Sequence, residues 1–211
     1  MNSFDTRARD WDKDKMHMDR SIAIASELEK MVPFNDSMKA LEFGAGTGIL
    51  SFLLKDKFSE IVLMDSSSEM IKVCEEKVLF HNATHIKPVC INLEQDYYNQ
   101  KFDIIYSQMV LHHVFDIEAI FKKFYSLLNP GGYLAIADLY TEDGTFHEIG
   151  TQVHWGFNPR DIANTLQSFD FSNIDITTSY IIKRDSGKEY PIFLLAAQKA
   201  RTHRHYPIYN Y

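Results

Sequence analysis

The sequence predicts an α/β fold, a doubly wound and mostly parallel sheet of about seven strands that closes with an antiparallel C-terminal hairpin strand. Three observations carry this expectation. Short apolar runs alternate with helical periods between residues 38 and 137, a rhythm that calls for right-handed crossovers and helices on both sheet faces. A glycine-rich turn, Gly44-Ala45-Gly46-Thr47-Gly48, directly follows the first of these runs. The last third then changes character, with two β-rich runs, 174–182 and 191–197, separated by a hairpin-sized polar connection, Arg184-Asp185-Ser186-Gly187-Lys188.

Each element has its own signal. In 21–32, Ile24, Leu28 and Val32 recur every four positions, an amphipathic helix that Pro33 ends. Residues 38–43 read as a buried strand, and Ile49, Phe52 and Leu53 form a helical face after the glycine turn. A second strand covers 61–64, after which Ser66 and Glu69 have the spacing of a capping box opening a helix with Met70, Cys74 and Val78 on one side. Residues 85–91 and 102–106 read as the third and fourth strands. Asp116 can cap a helix with Ile117, Ile120, Phe121, Phe124 and Leu128 on one face, ended by Asn129-Pro130-Gly131-Gly132 before a fifth strand at 133–137. Asn158-Pro159-Arg160-Asp161 supplies a cap, a proline at the first helical position and an acid in the first turn, so a helix runs to about residue 169. The aperiodic 201–211 segment is expected to be a mobile tail.

With 211 residues, a single domain is expected, and 45% apolar with 24% charged residues excludes a disordered or fibrous chain. The formal charge of −7 disfavours nucleic acid, whose phosphates demand clustered Lys and Arg. Cys74 and Cys90 are too few for a disulfide framework or a four-cysteine zinc site, and both are expected to be reduced and packed. The charged N-terminus lacks the apolar core of a signal peptide and no apolar run reaches about 18 residues, so a cytoplasmic protein without a membrane span is expected.

The glycine turn is the most informative stretch. A dinucleotide loop places its third glycine three positions after the second, but position 49 is Ile, and a P-loop would need a Lys near Gly48. Glu42, just before the turn, would repel a pyrophosphate and attract an ammonium group. Asp65 ends the second strand about 20 residues on, where a carboxylate can accept from both ribose hydroxyls or cap the next helix. Ribose and ammonium without phosphate describe S-adenosylmethionine.

At this point the residues are similar to a class I S-adenosylmethionine-dependent methyltransferase with a Rossmann-like sheet. EFGAGTG resembles that family's first motif, MDSSSEM its second-strand end, FDIIYSQMVLHHV its fourth-strand segment and NPGGYLAIADL its Pro-Gly-Gly turn and fifth strand. The subgroup it most resembles is the small-molecule enzymes of ubiquinone and menaquinone synthesis. The resemblance implies S-adenosylmethionine as cofactor, S-adenosylhomocysteine as product and a small-molecule methyl acceptor as partner. It also implies that Glu42 and the backbone of Phe43, Gly44, Ala45 and Gly46 hold the methionine part, that Asp65 binds the ribose, and that Ser66 and Met70 line the adenosine. Asn92 and Leu93 would meet the adenine, with Asp96 as a rival, and Ser107 would lie near the transferable methyl. In related enzymes a segment like the one around Trp11 folds over the cofactor. The implied division is an N-terminal helical lid (1–34), a cofactor half (35–138) and an acceptor-shaping part (139–200).

Of the nine histidines, His112 is the candidate base or orienting group, sharing a pair with His113. His147-Glu148 begins like a zinc-binding H-E-x-x-H, but position 151 is Thr, and His203-x-His205 falls in the tail, so no metal is expected. His154 either packs beside Trp155 or lines the acceptor pocket. Two other functions fit parts of the pattern: a catalytically silent cofactor-binding regulatory module and a nicotinamide-dependent dehydrogenase.

Overall fold

Seven strands form one sheet: β1 (Lys39–Phe43), β2 (Glu60–Asp65), β3 (Ile86–Cys90), β4 (Phe102–Gln108), β5 (Leu128–Leu139), β6 (Phe171–Lys183) and β7 (Glu189–Lys199). This computed structural model describes residues 4–148 and 150–201. Five α-helices accompany the sheet: α1 (Lys15–Met31), α2 (Ile49–Leu53), α3 (Ser68–Phe80), α4 (Ile117–Leu127) and α5 (Pro159–Ser168). The spatial order is β3-β2-β1-β4-β5-β7-β6. β1 pairs in parallel with both β2 and β4, β2 with β3 and β4 with β5, whereas β7 runs antiparallel between β5 and β6. The expected architecture is therefore present, with the one reversed strand inserted rather than added at the rim.

Alternation along each strand divides the core into two layers. Ala40, Ile61, Leu63, Ile104 and Leu194 pack with Ile24 and Leu28 of α1, while Leu41, Val62, Ile105, Phe193 and Leu195 pack with Phe124 of α4 and Leu166 of α5. Burying each such side chain contributes about 1.5–3 kcal/mol, which is why amphipathic stripes become helices only against this sheet. The strand order reverses between β1 and β4, so ligands are expected beyond their carboxyl ends.

Four details depart from the sequence expectation. α1 starts six residues before position 21, capped by Asp14, whose side chain accepts from Met16 N at 2.9 Å. Its charged first turns concealed it, although His17, Arg20 and Ser21 lie on the buried face. The cap of α3 is Ser67, not Ser66: Ser67 Oγ accepts from Met70 N at 3.2 Å. The Asn129–Gly132 stretch (129–132) does not separate helix from strand but bulges within β5, because Phe102 pairs with Leu128 and Ile104 already with Tyr133. Cys74 is fully buried, but Cys90 is exposed at the end of the edge strand β3, against the expectation of a packed thiol. The expected mobile tail and His203-x-His205 fall in 202–211, outside the described residues. No helix among the described residues is long and apolar enough to cross a membrane.

Candidate active site

The glycine turn occupies the switch point. Ala45 N donates to Met64 O at 3.0 Å and Gly46 N to Asp65 Oδ2 at 2.7 Å, which locks the turn against the end of β2. Gly44 has φ +65°, and a Cβ there would come within 2.5 Å of both Val110 methyls, so only glycine fits. At Gly46 a Cβ would meet nothing within 4 Å, leaving the backbone there open to a ligand.

Glu42 is fully buried at the end of β1. Its Oε2 accepts from Ser51 N at 3.2 Å and from Ser51 Oγ, whose oxygen is 2.7 Å from Tyr106 Oη. Glu42 Oε1 is buried without a hydrogen-bond partner among the described residues. Burial pushes the carboxyl up to about 8, against the opposing pull of Ser51. An unpaired buried acceptor beside an open glycine fits an ammonium donor, which would satisfy the oxygen and favour the ionised form. The observed carboxylate therefore suits the methionine end of S-adenosylmethionine.

Asp65 does not cap α3, a role Ser67 takes, but ties the turn to the start of that helix: Oδ2 accepts from Gly46 N and Oδ1 from Ser67 N at 2.8 Å. Burial raises its pKa, with those amides pulling the other way. Ser66 is exposed and Met70 is buried under the turn. Phe43 turns its ring away from the glycine turn onto Phe124, centroids 5.1 Å apart, so only its backbone can serve a ligand. Asn92 closes its own loop, accepting from Glu94 N at 3.1 Å, while Asp96 accepts from Asn92 N at 3.1 Å; Leu93 is buried beside them. Ser107 is 3% exposed near the end of β4.

The N-terminal segment crosses the same strand ends. Asp12 accepts from Thr47 Oγ1 and pairs with Lys77 Nζ at 2.9 Å, and Ser67 Oγ donates to Asp5 at 2.6 Å. Trp11, in the 3₁₀ turn Ala8–Lys13, stacks on His17 at 4.2 Å, and Phe4 meets His113 edge-on at 5.3 Å.

His112 is 1% exposed in the turn after β4, and its Nδ1 lies 2.7 Å from Oδ1 of the fully buried Asp138 at the end of β5. Such a pair fixes the ring's tautomer and leaves Nε2 for other work. His113 and His147 surround it, with ring centroids 4.2 and 5.0 Å from His112. Burial and the two neighbouring rings push His113 down to about 3, and burial also lowers His147. The ligand atoms of all three lie within 4.8 Å of one another, so the set could also gather a divalent ion. His147, set aside when Thr151 broke the zinc pattern, thus joins the site through space, and its Nε2 is buried without a partner among the described residues. His154 holds the loop instead of facing the site: its Nε2 is 3.0 Å from Val114 O and its N–H donates to His112 O at 2.8 Å. Of two open clefts, one is lined by Tyr140, Phe157 and Ile176, with the Phe157 ring 5.3 Å from that of His154, and the other by Asn35, Asp103 and Gly131.

Sequence reading missed Asp138, Arg20 and Gln108. Arg20 had a legible signal, since it stands four residues before Ile24 and eight before Leu28 on one helical face. Asp138 had none beyond ending an apolar run.

A profile for a methyltransferase domain matches residues 16–176. An uncharacterized methyltransferase of Schizosaccharomyces pombe is 30% identical over 156 residues, covering 66% of this chain and 55% of its own. A malonyl-[acyl-carrier protein] O-methyltransferase of Priestia megaterium is 31% identical over 118 residues, 55% of this chain and 41% of that one. The chain thus spans about half the length of these curated relatives. Among solved structures, Haemonchus contortus phosphoethanolamine N-methyltransferase 2 with S-adenosyl-L-methionine superposes with a TM-score of 0.71 at 16% identity, over 86% of this chain and 52% of that one. A Haloferax volcanii methyltransferase solved with its activator reaches 0.76 at 16% identity, over 96% and 99%. The fold, the glycine turn between the buried Glu42 and the half-buried Asp65, and the profile match agree: this chain belongs to the methyltransferase-domain family.

Proposed function

We propose that the protein transfers a methyl group from S-adenosylmethionine to an oxygen, nitrogen or carbon of a small molecule. The observation that carries this reading is the buried, unpaired Glu42 Oε1 on the strand that leads into the glycine turn, whose Gly46 backbone is open and is held by Asp65. Glu42 and the 43–46 backbone would hold the amino-acid end, Asp65 the ribose, Ser66 and Met70 the adenosine, and Asn92 with Leu93 the adenine. Bound there, the cofactor supplies a methyl group on a sulfonium, a strong electrophile with a neutral leaving group.

What the chain must add is alignment and dryness, which together are worth several kcal/mol. Trp11 and Phe4, tied across the strand ends by Asp5 and Asp12, exclude water from the site. His112, oriented by Asp138, takes the proton of an acceptor that arrives as an alcohol, phenol or ammonium. Residues 1–34 act as the lid, 35–138 as the cofactor half and 139–200 as the shaping wall. The charge of −7 supports small metabolites over nucleic acid as acceptors. Two relatives are named for phosphoethanolamine, a small metabolite, and for a malonyl group on acyl-carrier protein; the first supports the same class, and the second keeps the methylated group itself small.

Titration calorimetry with S-adenosylhomocysteine, followed by a screen of metabolite pools for transfer of labelled methyl, tests the proposal. Tight binding with turnover is the expected result. Binding without turnover on any acceptor would favour the silent regulatory module, and tight NAD binding without any response to S-adenosylhomocysteine would overturn the reading.

A further inference from the structure

We propose that Arg20 is an anion-binding group of the acceptor pocket, so that the methyl acceptor carries a carboxylate or a phosphate. The inference rests on the methyltransferase reading, which puts the acceptor beyond the carboxyl ends of β4 and β5. Arg20 is only 5% exposed, on the face of α1 that packs against the sheet. The next residue fixes its place: Ser21 Oγ donates to Gln108 Oε1 at 3.1 Å, at the end of β4 and one residue past Ser107.

A guanidinium carries five N–H donors and keeps its charge, so burying it without an anion is among the costliest arrangements a fold can hold. Arg20 Nε has no hydrogen-bond partner among the described residues, and Nη1 reaches only the thioether of Met16 at 3.9 Å, a weak acceptor. The carboxylates whose charge acts on it are occupied. Asp138 accepts from Leu139 N at 2.7 Å and holds His112 Nδ1, and Asp14 caps α1. Tyr180 of β6 is the remaining group that bears on it. Burial lowers the Arg20 pKa to about 10, which still leaves the side chain cationic at neutral pH. A planar fork of donors, buried with its Nε unpaired and its Nη1 on no more than a thioether, matches a two-oxygen anion, and Lys would supply only a point charge there.

The test compares the full wild-type chain with Arg20→Met, which keeps the apolar stem and removes the charge, and with Arg20→Lys. Calorimetry with S-adenosylhomocysteine comes first. Binding to wild type and Arg20→Met with the same Kd is expected, and failure to bind wild type would sink the methyltransferase reading while leaving the anion measurement readable. Thermal unfolding is then followed with methyl phosphate and with acetate as separate probes. Wild type should be stabilised by at least one, with the larger shift distinguishing a phosphate from a carboxylate acceptor. Arg20→Met should melt at or above the wild-type temperature in buffer and bind the effective anion about tenfold or more weakly, with Arg20→Lys between them. Absence of a shift in wild type, equal shifts in wild type and Arg20→Met, or a lower melting temperature for Arg20→Met in buffer would each overturn the proposal and make Arg20 a structural residue.

Discussion

The two sides of the site are built differently. Around the proposed cofactor end, residues 42–46 and 65–70 would supply nearly everything, through backbone amides and two carboxylates on neighbouring strands. Around the proposed acceptor end, four distant segments would each supply one to three side chains: Phe4, Trp11 and Arg20 from the N-terminus, His112 and His113 after β4, Asp138 from β5, and His147 from the following loop. On the proposed function, a constant ligand would be served by local backbone geometry, and a specific acceptor by side chains that only the fold brings together.

That division makes separable predictions. The largest effect is expected for His112→Ala, which should lower the methyl-transfer rate on a protonated acceptor by about 10²–10⁴-fold while leaving S-adenosylhomocysteine affinity unchanged. A matching loss of affinity in calorimetry would erase the boundary between the two sides. Asp65→Ala should weaken cofactor binding by roughly 2–4 kcal/mol through two lost charge-assisted bonds. An unaltered Kd would leave Asp65 as the residue that ties Gly46 to Ser67 and nothing more.

Two pH measurements sharpen the contrast. Because the Glu42 pKa is raised to about 8, the free site gains its anion only as pH climbs through that value, so affinity for S-adenosylhomocysteine should rise by about tenfold per unit below it and then level off. Glu42→Gln should flatten the profile. On the acceptor side, the folded pKa of His113, about 3, lies below its unfolded value of about 6.5. The unfolded chain therefore binds the proton first, and this contribution to stability, complete above about 6.5, is lost as pH falls towards about 3. Denaturation series should show stability falling by about 1 kcal/mol per unit in that window more steeply in wild type than in His113→Gln. Smallest of all, removing divalent ions with a chelator should leave turnover unchanged if the three histidines handle protons. Loss of activity restored by zinc would make them ligands instead.

How much of this was readable followed the same line. Glu42 and the glycine turn could be placed because strand and turn are contiguous, and Asp65 because it ends the next strand, and the glycine spacing disfavoured a dinucleotide or P-loop phosphate. The 129–132 bulge was not readable, since Asn129-Pro130-Gly131-Gly132 ends a helix equally well, and its pairing across from Asp103 is decided by β4. Six residues of α1 were missed because charge hides amphipathicity when the buried positions are His17, Arg20 and Ser21.

By itself, then, the chain determined the α/β order of elements and disfavoured a dinucleotide or P-loop phosphate at the glycine turn, because these depend on periodicity and on the spacing of residues within short segments. The tertiary structure alone decided that β7 inserts between β5 and β6, that Asp138 pairs with His112, that His147 lies beside His112, and that Arg20 is buried where the charge of Asp138 acts on it. Those groups are separated by tens of residues along the chain, and only packing α1 and the loop after β5 against the strand ends takes them out of water and puts them in reach of one another.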